Sequence, residues 1–248
     1  MDRIVIAAHK GGSGKTTVAV NLAGALAQLG MRVLLVDTDP QGAASAALGV
    51  EPGKPTLYEV LSGTAKRHEA IVGSSTPGLS ILPSDLDLAG AEVELPRQSH
   101  WQQRLAEVLL SLEDVCDLAI IDTPPGLGVL SYCALQAATS AMVVCPPEYM
   151  AFRALSHLQE MATRADVPLV GIVPTMATSV SRHAREVLEL LQEQYPTLLL
   201  ESIPRRVVLQ DAAVAGVPVT TYDPKSDAAQ RFLALGREVL NRAKNLAA

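Results

Sequence analysis

The stretch RIVIAAHKGGSGKTT, residues 3–17, decides the fold. An apolar, β-branched run gives way to a turn of glycines and serine that carries two lysines, and the sequence after it has the small and apolar residues of a buried helix. Glycines in that position let backbone N–H groups curl around phosphate oxygens, and the positive end of the following helix adds to their field. Strand, glycine loop, Lys-Thr and helix in register are the context that a nucleotide-binding phosphate loop requires. Lys15 is placed to reach the β- and γ-phosphates, and Thr16 to offer its hydroxyl to Mg²⁺, while Gly11, Gly12, Ser13, Gly14 and Thr17 complete the cradle. The general pattern has a glycine five residues before Gly14; here His9 stands there, and Lys10 follows it.

Outward from the loop, short strand-like runs alternate with helical patterns. The runs are 3–8, 32–37, 79–84, 117–122, 140–146, 167–175 and 198–204, and several are apolar throughout, as strands covered on both faces must be. Helical patterns fill 15–29, 97–113, 149–165, 180–195 and 226–245. This order predicts an α/β fold, a mostly parallel twisted sheet flanked by helices on both faces, joined by right-handed crossovers. Residues 49–100 are less regular, with short helical pieces at 56–62 and 86–94, and no charged or low-complexity linker sets them apart. Residues 1–248 are therefore expected to form a single P-loop ATPase domain.

Composition narrows the function classes. The formal net charge is -6, but residues 1–150 hold 9 Lys and Arg against 16 Asp and Glu, whereas residues 151–248 hold 11 against 10. Any nucleic-acid contact is thus confined to a local patch in the last third. Cys116, Cys133 and Cys145 sit in apolar surroundings without metal-ligand spacing, which suits core thiols in a reducing cytoplasm. No apolar stretch approaches the roughly 20 residues needed to span a bilayer, so no membrane partner is expected.

KGGSGKTT (10–17) resembles the deviant Walker A loop of the ParA/MinD superfamily, and RVLLVDTDPQG (32–42) resembles the second strand and switch I of its ParA and Soj members. CDLAIIDTPPGLG (116–128) is similar to their Walker B strand and switch II, and TTYDPKSDAAQRFLALGREVLNR (220–242) to their closing segment, so the resemblance covers nearly the whole chain. It implies an ATP- and Mg²⁺-dependent ATP hydrolase that forms a sandwich homodimer with ATP, with Lys10 crossing the interface to the partner's nucleotide. By the same similarity Asp37 and Asp122 join Thr16 in the metal and water network, and Asp39 orients the attacking water. VPTM (173–176) and SIPRR (202–206) occupy the places of segments that pack around adenine, which puts Thr175, Met176, Pro204 and Arg205 against the base.

The resemblance further implies non-specific DNA binding in the ATP state, a ParB-like or other partner that stimulates hydrolysis, and nucleoid association. Arg182, Arg185, Arg205 and Arg206 are the first candidates for DNA phosphate contacts, with Arg231, Arg237, Arg242 and Lys244 behind them. At the two places where Soj-like proteins carry DNA-contacting arginines this chain has Val180 and Val208. DNA binding is then weakened, relayed through neighbouring arginines, or lost, and in the last case the protein is a nucleotide-gated dimeric scaffold. A phosphoryl-transferring ligase or kinase on a small metabolite is a third reading, opposed by DTDPQG and Lys10. The chain enters its first strand at Arg3, which argues against an N-terminal operator-binding domain. Phe232, Leu233, Leu235, Val239 and Leu240 form a stripe on the last helix that reads as core rather than as a membrane anchor.

Overall fold

The computed structural model describes residues 1–51, 53–177 and 182–246. Seven strands form one sheet: β1 (Asp2–Ala7), β2 (Val33–Asp37), β3 (Val72–Gly73), β4 (Leu79–Leu82), β5 (Leu118–Asp122), β6 (Ser140–Cys145) and β7 (Leu169–Pro174), in the order β3-β4-β2-β5-β1-β6-β7. All neighbouring pairs are parallel except β3 with β4, a two-residue edge pairing too short to leave an apolar signature. The helices, in chain order, are α1 (Lys15–Gln28), α2 (Ala43–Ala47), α3 (Leu57–Ser62), α4 (Arg67–Ala70), α5 (Ala91–Glu94), α6 (Arg104–Leu110), α7 (Val129–Ala137), α8 (Tyr149–Arg153), α9 (Leu155–Arg164), α10 (Arg182–Gln194), α11 (Val207–Val214), α12 (Val219–Tyr222) and α13 (Asp227–Leu246).

The alternation of side chains along each strand sorts the core into two faces. Ile4 and Ile6 of β1 with Val33 and Leu35 of β2 point into a core built on α1 and α13. Val5, Leu34 and Val36 point the other way, against α3, α6 and α7. Both faces are covered, which is why the strands read as unbroken apolar runs. Phe232, Leu235 and Val239 of α13 are fully buried and Leu233 and Leu240 partly so, so the stripe on the last helix is core. Among the described residues no helix is long and apolar enough to cross a membrane.

Five segments differ from the sequence-based expectation. Residues 198–204 do not form a strand; they pair with β7 through isolated bridges at Leu199 and Ile203, and between these the Ser202 carbonyl accepts from Arg231. The helix expected over 97–113 is shortened to α6, since His100 takes a left-handed conformation (φ 58°) and short 3₁₀ turns precede the helix. The helix expected over 149–165 is divided into α8 and α9 at Ala154. Helices α7 and α11, which the sequence reading did not find, are short and mostly small or apolar, so they lack the polar and apolar contrast that marks a helix.

Helix α1 is buried along nearly its whole length, and two of its residues fix how closely the chain can pack on it. Buried Asn21 donates to the Thr17 carbonyl (2.8 Å) and accepts from the Val219 N–H (2.7 Å), so neither end of its amide is orphaned. At Gly24 an added Cβ would lie 2.3 Å from the Pro218 side chain, whose ring has no rotamer in which to retreat. Gly24→Ala gains about 1 kcal/mol of helix propensity but overpacks a rigid contact at about 1–3 kcal/mol. The expected result is net destabilisation, read in a melting curve as a Tm lower by about 2–4 °C per kcal/mol lost.

Candidate functional site

β1 ends at the sheet's centre, and the chain leaves it through residues 8–14 into α1. Gly12 (φ 72°) and Gly14 (φ 90°) hold left-handed conformations that a side chain would strain, and Gly14 is the residue that starts the helix. α1 has no side-chain cap and no acidic residue in its first turn, so its leading N–H groups are available to an anion. Ser13 is buried with its hydroxyl unpartnered, and its carbonyl accepts from Thr175 Oγ1 (2.8 Å), which pins the loop to the end of β7. Gly11 and Gly12 are exposed and Thr16 and Thr17 half-buried, so one side of the loop is open.

The charged groups converge at the carboxyl ends of β2 and β5. Asp37 and Asp122 are register partners on these neighbouring strands, both fully buried. Thr16 Oγ1 donates to Asp122 Oδ2 (2.7 Å), while Asp122 Oδ1 is buried with no partner. Burial pushes the Asp122 carboxyl up to about 8, with the charge of Asp37 adding to the rise and the Thr16 hydrogen bond and Lys15 opposing it. Burial also raises Asp37, and lowers the ammonium of buried Lys15 against the pull of Asp122 and Asp39. Two carboxylates, Asp122 and Asp39, thus act on one buried cation.

An orphaned carboxylate oxygen beside a threonine hydroxyl fits Mg²⁺. That ion keeps most of its waters and takes one or two protein ligands plus phosphate oxygens, so a full protein cage is unnecessary. Among the described residues there is indeed no such cage of His, Cys, Asp or Glu. Thr16 and Asp122 would hold it. Asp37 is differently placed: its Oδ2 accepts from Ser45 N (2.9 Å) and Oγ (2.8 Å), and its Oδ1 from Asp39 N (3.2 Å). Its oxygens are engaged in tying β2 to α2 and to the Asp39 turn. Asp39 is half-buried, and its Oδ1 accepts from Gln41 N (2.9 Å).

Lys10 stands apart from this cluster. It is exposed, and its Nζ lies 2.7 Å from Glu148 Oε2, just before α8. On the other side of the loop a cleft of about 290 Å³ is lined by Gly12, Gly14, Thr17, Thr175, Met176, Pro204, Arg205, Leu209 and Gln210. Met176 is held at φ 55° by its N–H bond to the Ile203 carbonyl. The residues named from sequence on both sides of the base thus line one cleft. Leu209 and Gln210 were missed because they ride on α11.

The basic residues of the last third do not gather into one free patch. Arg182 pairs with Glu186, and Arg206 with Asp227 (3.0 Å). Arg185 and Arg205 are exposed, as are Arg237 and Lys244. Arg231 bonds to Glu201 and Asp227, and Arg242 to Glu238 and to the carbonyls of Val170, Thr197 and Leu199, so both fasten the chain beside β7. Val208 packs on the core, and Val180 lies outside the described residues.

A glycine loop between a strand and a helix of a parallel sheet, with a buried Thr-Asp pair and a cleft beside it, is the arrangement of a P-loop nucleotide-binding fold. Residues 1–167 match the family described as AAA domain. The chain is 38% identical to the chromosome partitioning protein ParA of Myxococcus xanthus, over 96% of this chain and 88% of that one. It is 36% identical to the sporulation initiation inhibitor protein Soj of Bacillus subtilis, over 95% and 97%. It superposes on the septum site-determining protein MinD of Pyrococcus horikoshii, solved with Mg-ADP, with a TM-score of 0.85 at 30% identity, covering 99% of this chain and 98% of that one. The chain belongs to the ParA/MinD family of partitioning and positioning ATPases, and hydrolyses ATP with Mg²⁺.

Asp122→Asn keeps the shape and the acceptor facing Thr16 while removing a desolvated ionisable group. Without nucleotide the variant is expected to melt no lower than the parent, because ionising a buried carboxyl is unfavourable. Titration of ATP with and without Mg²⁺ is expected to show the metal's contribution to affinity reduced at least about ten-fold.

Proposed function

We propose that this ATPase closes into a sandwich homodimer when it binds ATP, and that the dimer binds DNA non-specifically. Partner-stimulated hydrolysis then releases it, so that a chromosome, plasmid or protein assembly is segregated or positioned. The observation that carries the proposal is the division of labour between the two lysines. Lys15 is buried against Asp122 and Asp39 and serves the nucleotide of its own subunit. Lys10 is exposed and turned to Glu148. An ion pair between two half-exposed side chains contributes at most about 1 kcal/mol. Lys10 can therefore exchange Glu148 for a phosphate across a two-fold axis at little cost, which links dimerisation to the presence of ATP. Leu127 in switch II and Tyr149 and Met150 after Glu148 are large, apolar and exposed, as residues awaiting a second subunit would be.

In the closed state the chemistry is attack of water on the γ-phosphorus. Lys15 neutralises charge on the β- and γ-oxygens, the loop N–H groups hold the phosphates, and Asp39 orients the water. Thr16 and Asp122 would hold Mg²⁺, which would supply further positive charge to the phosphates. Cleavage removes the γ-phosphate on which the partner's Lys10 rests, and the dimer loosens.

For DNA, Arg182, Arg185 and Arg205 are exposed and Arg206 needs only to leave Asp227, so repeated across a dimer they offer several phosphate contacts. A different observation favours the second reading, a nucleotide-gated scaffold that recruits a protein and not DNA: Val207 and Val214 of α11 are 71% and 91% exposed, apolar side chains where a DNA clamp would carry charge. Asp39→Ala, expected to trap ATP and the dimer, separates the two. The clamp predicts DNA binding with ATP and not with ADP, and affinity that falls with salt on a log-log slope of about -3 or steeper. A stable ATP dimer with no DNA affinity at low salt would leave the scaffold.

The lysines are tested separately. Lys15→Ala is expected to lose ATP binding and hydrolysis together. Lys10→Ala is expected to bind ATP within about three-fold of the parent yet remain a monomer by light scattering, and a Lys10→Ala dimer would refute its cross-subunit role.

A further inference from the structure

We infer that residues 84–94 tie the two switch segments together, and that Glu92 is a positioning residue for switch II. Helix α7 starts at Val129, directly after the Asp122–Gly128 turn, and its own N-cap, Gly128, has no side chain with which to satisfy the first N–H groups. The cap comes from a distant part of the chain. Glu92 Oε2 accepts from Val129 N (2.9 Å) and Oε1 from Leu130 N (3.4 Å), placing a carboxylate at the positive end of the helix. Gly128 has an ordinary negative φ (-76°), so backbone conformation does not demand glycine there. What an added side chain would meet is the cap itself: a Cβ at Gly128 would lie 2.8 Å from Glu92 Oε1, so the flexible carboxylate would have to shift away. The loop itself is closed by Ser131 Oγ, which donates to the Gly126 carbonyl (3.0 Å).

The other end of the same segment holds switch I. Ser84 Oγ donates to the Asp39 carbonyl, and Ser84 N donates to Oγ of Ser45 (3.3 Å), the residue that holds Asp37. A Cβ at Gly42 would come within 3.2 Å of the Ser84 carbonyl. Leu88 and Ala91 between the two ends, and Leu95 just beyond them, are buried in the same core cluster as Leu130 and Ala134 of α7. The segment lines neither the phosphate loop nor the base cleft. It instead fixes the distance between the turn that carries Asp39 and the turn that follows Asp122. A displacement of either switch is thereby transmitted to the other, and release of the Glu92 cap lets switch II move alone.

The contact can be read without ATP turnover, whereas its consequence for hydrolysis rests on the cycle proposed above. Hydrogen exchange of the full chain should be followed for the parent, Glu92→Ala, Glu92→Gln and Gly128→Ala, with Glu94→Ala as the control. Glu94 is on the same helix and its carboxylate meets the Tyr58 hydroxyl instead. In Glu92→Ala, amides 124–131 are expected to exchange about five- to ten-fold faster, with the Val129 and Leu130 amides, which donate to Glu92, affected most. Gly128→Ala, which displaces the carboxylate while leaving Glu92 in the chain, should reproduce the effect, and Glu92→Gln, which keeps one acceptor and the side-chain volume, should show about half of it. kcat is expected to fall about ten-fold in Glu92→Ala with the affinity for a non-hydrolysable ATP analogue within about two-fold. Unchanged exchange over 124–131, or an equal loss in Glu94→Ala, would overturn the inference. Faster exchange in Glu92→Ala together with a parent that forms no dimer with ATP would leave the tie standing and the cycle refuted.

Discussion

The burial of Asp122 next to Asp37, with Lys15 as the nearest cation, is the constraint on which the rest of the structure depends. Two adjacent parallel strands end in fully buried carboxylates at the same level. Such a pair is tolerable only where hydrogen bonds and positive charge converge on it. Ser45 and the Asp39 N–H satisfy Asp37, and Thr16 satisfies one oxygen of Asp122, whose other oxygen is the one that would meet Mg²⁺.

Each supporting element contributes to that point. α1 must end in free N–H groups, so it begins at a glycine without a capping side chain, and its stability comes instead from burial along its length. The sheet order places β1 between β5 and β6, so the loop after β1 faces the end of β5 across a short gap. Ser13 and Thr175 join the loop to β7, and the base cleft opens from that junction. Residues 49–100, irregular in sequence, supply Ser84 and Glu92 to the two turns around the carboxylates.

Much of the site was legible because its chemistry is local. A strand, a glycine loop and Lys15-Thr16 adjoin in the chain, and Asp37, Asp39 and Asp122 stand at the ends of apolar runs that could only be parallel strands. What escaped were short helices. α7 and α11 carry too little polar contrast for periodicity to mark them, and with α11 went Leu209 and Gln210 of the base cleft. Residues 198–204 read as a strand because they are apolar; the carbonyls of Ser202 and Leu199 accept from Arg231 and Arg242, which sequence offered as DNA contacts.

The sequence by itself determined the class of fold, the phosphate loop and the identity of the charged groups, since each follows from residue type and spacing along a few turns of chain. Only the tertiary structure decided which of those groups are satisfied. That Asp37 is engaged with Ser45 while Asp122 keeps a bare oxygen, that Lys10 rests on Glu148, and that Glu92 caps a helix 37 residues away all depend on which side chains are brought together. Partnering is a property of distance and burial in space, and spacing along the chain carries no record of it.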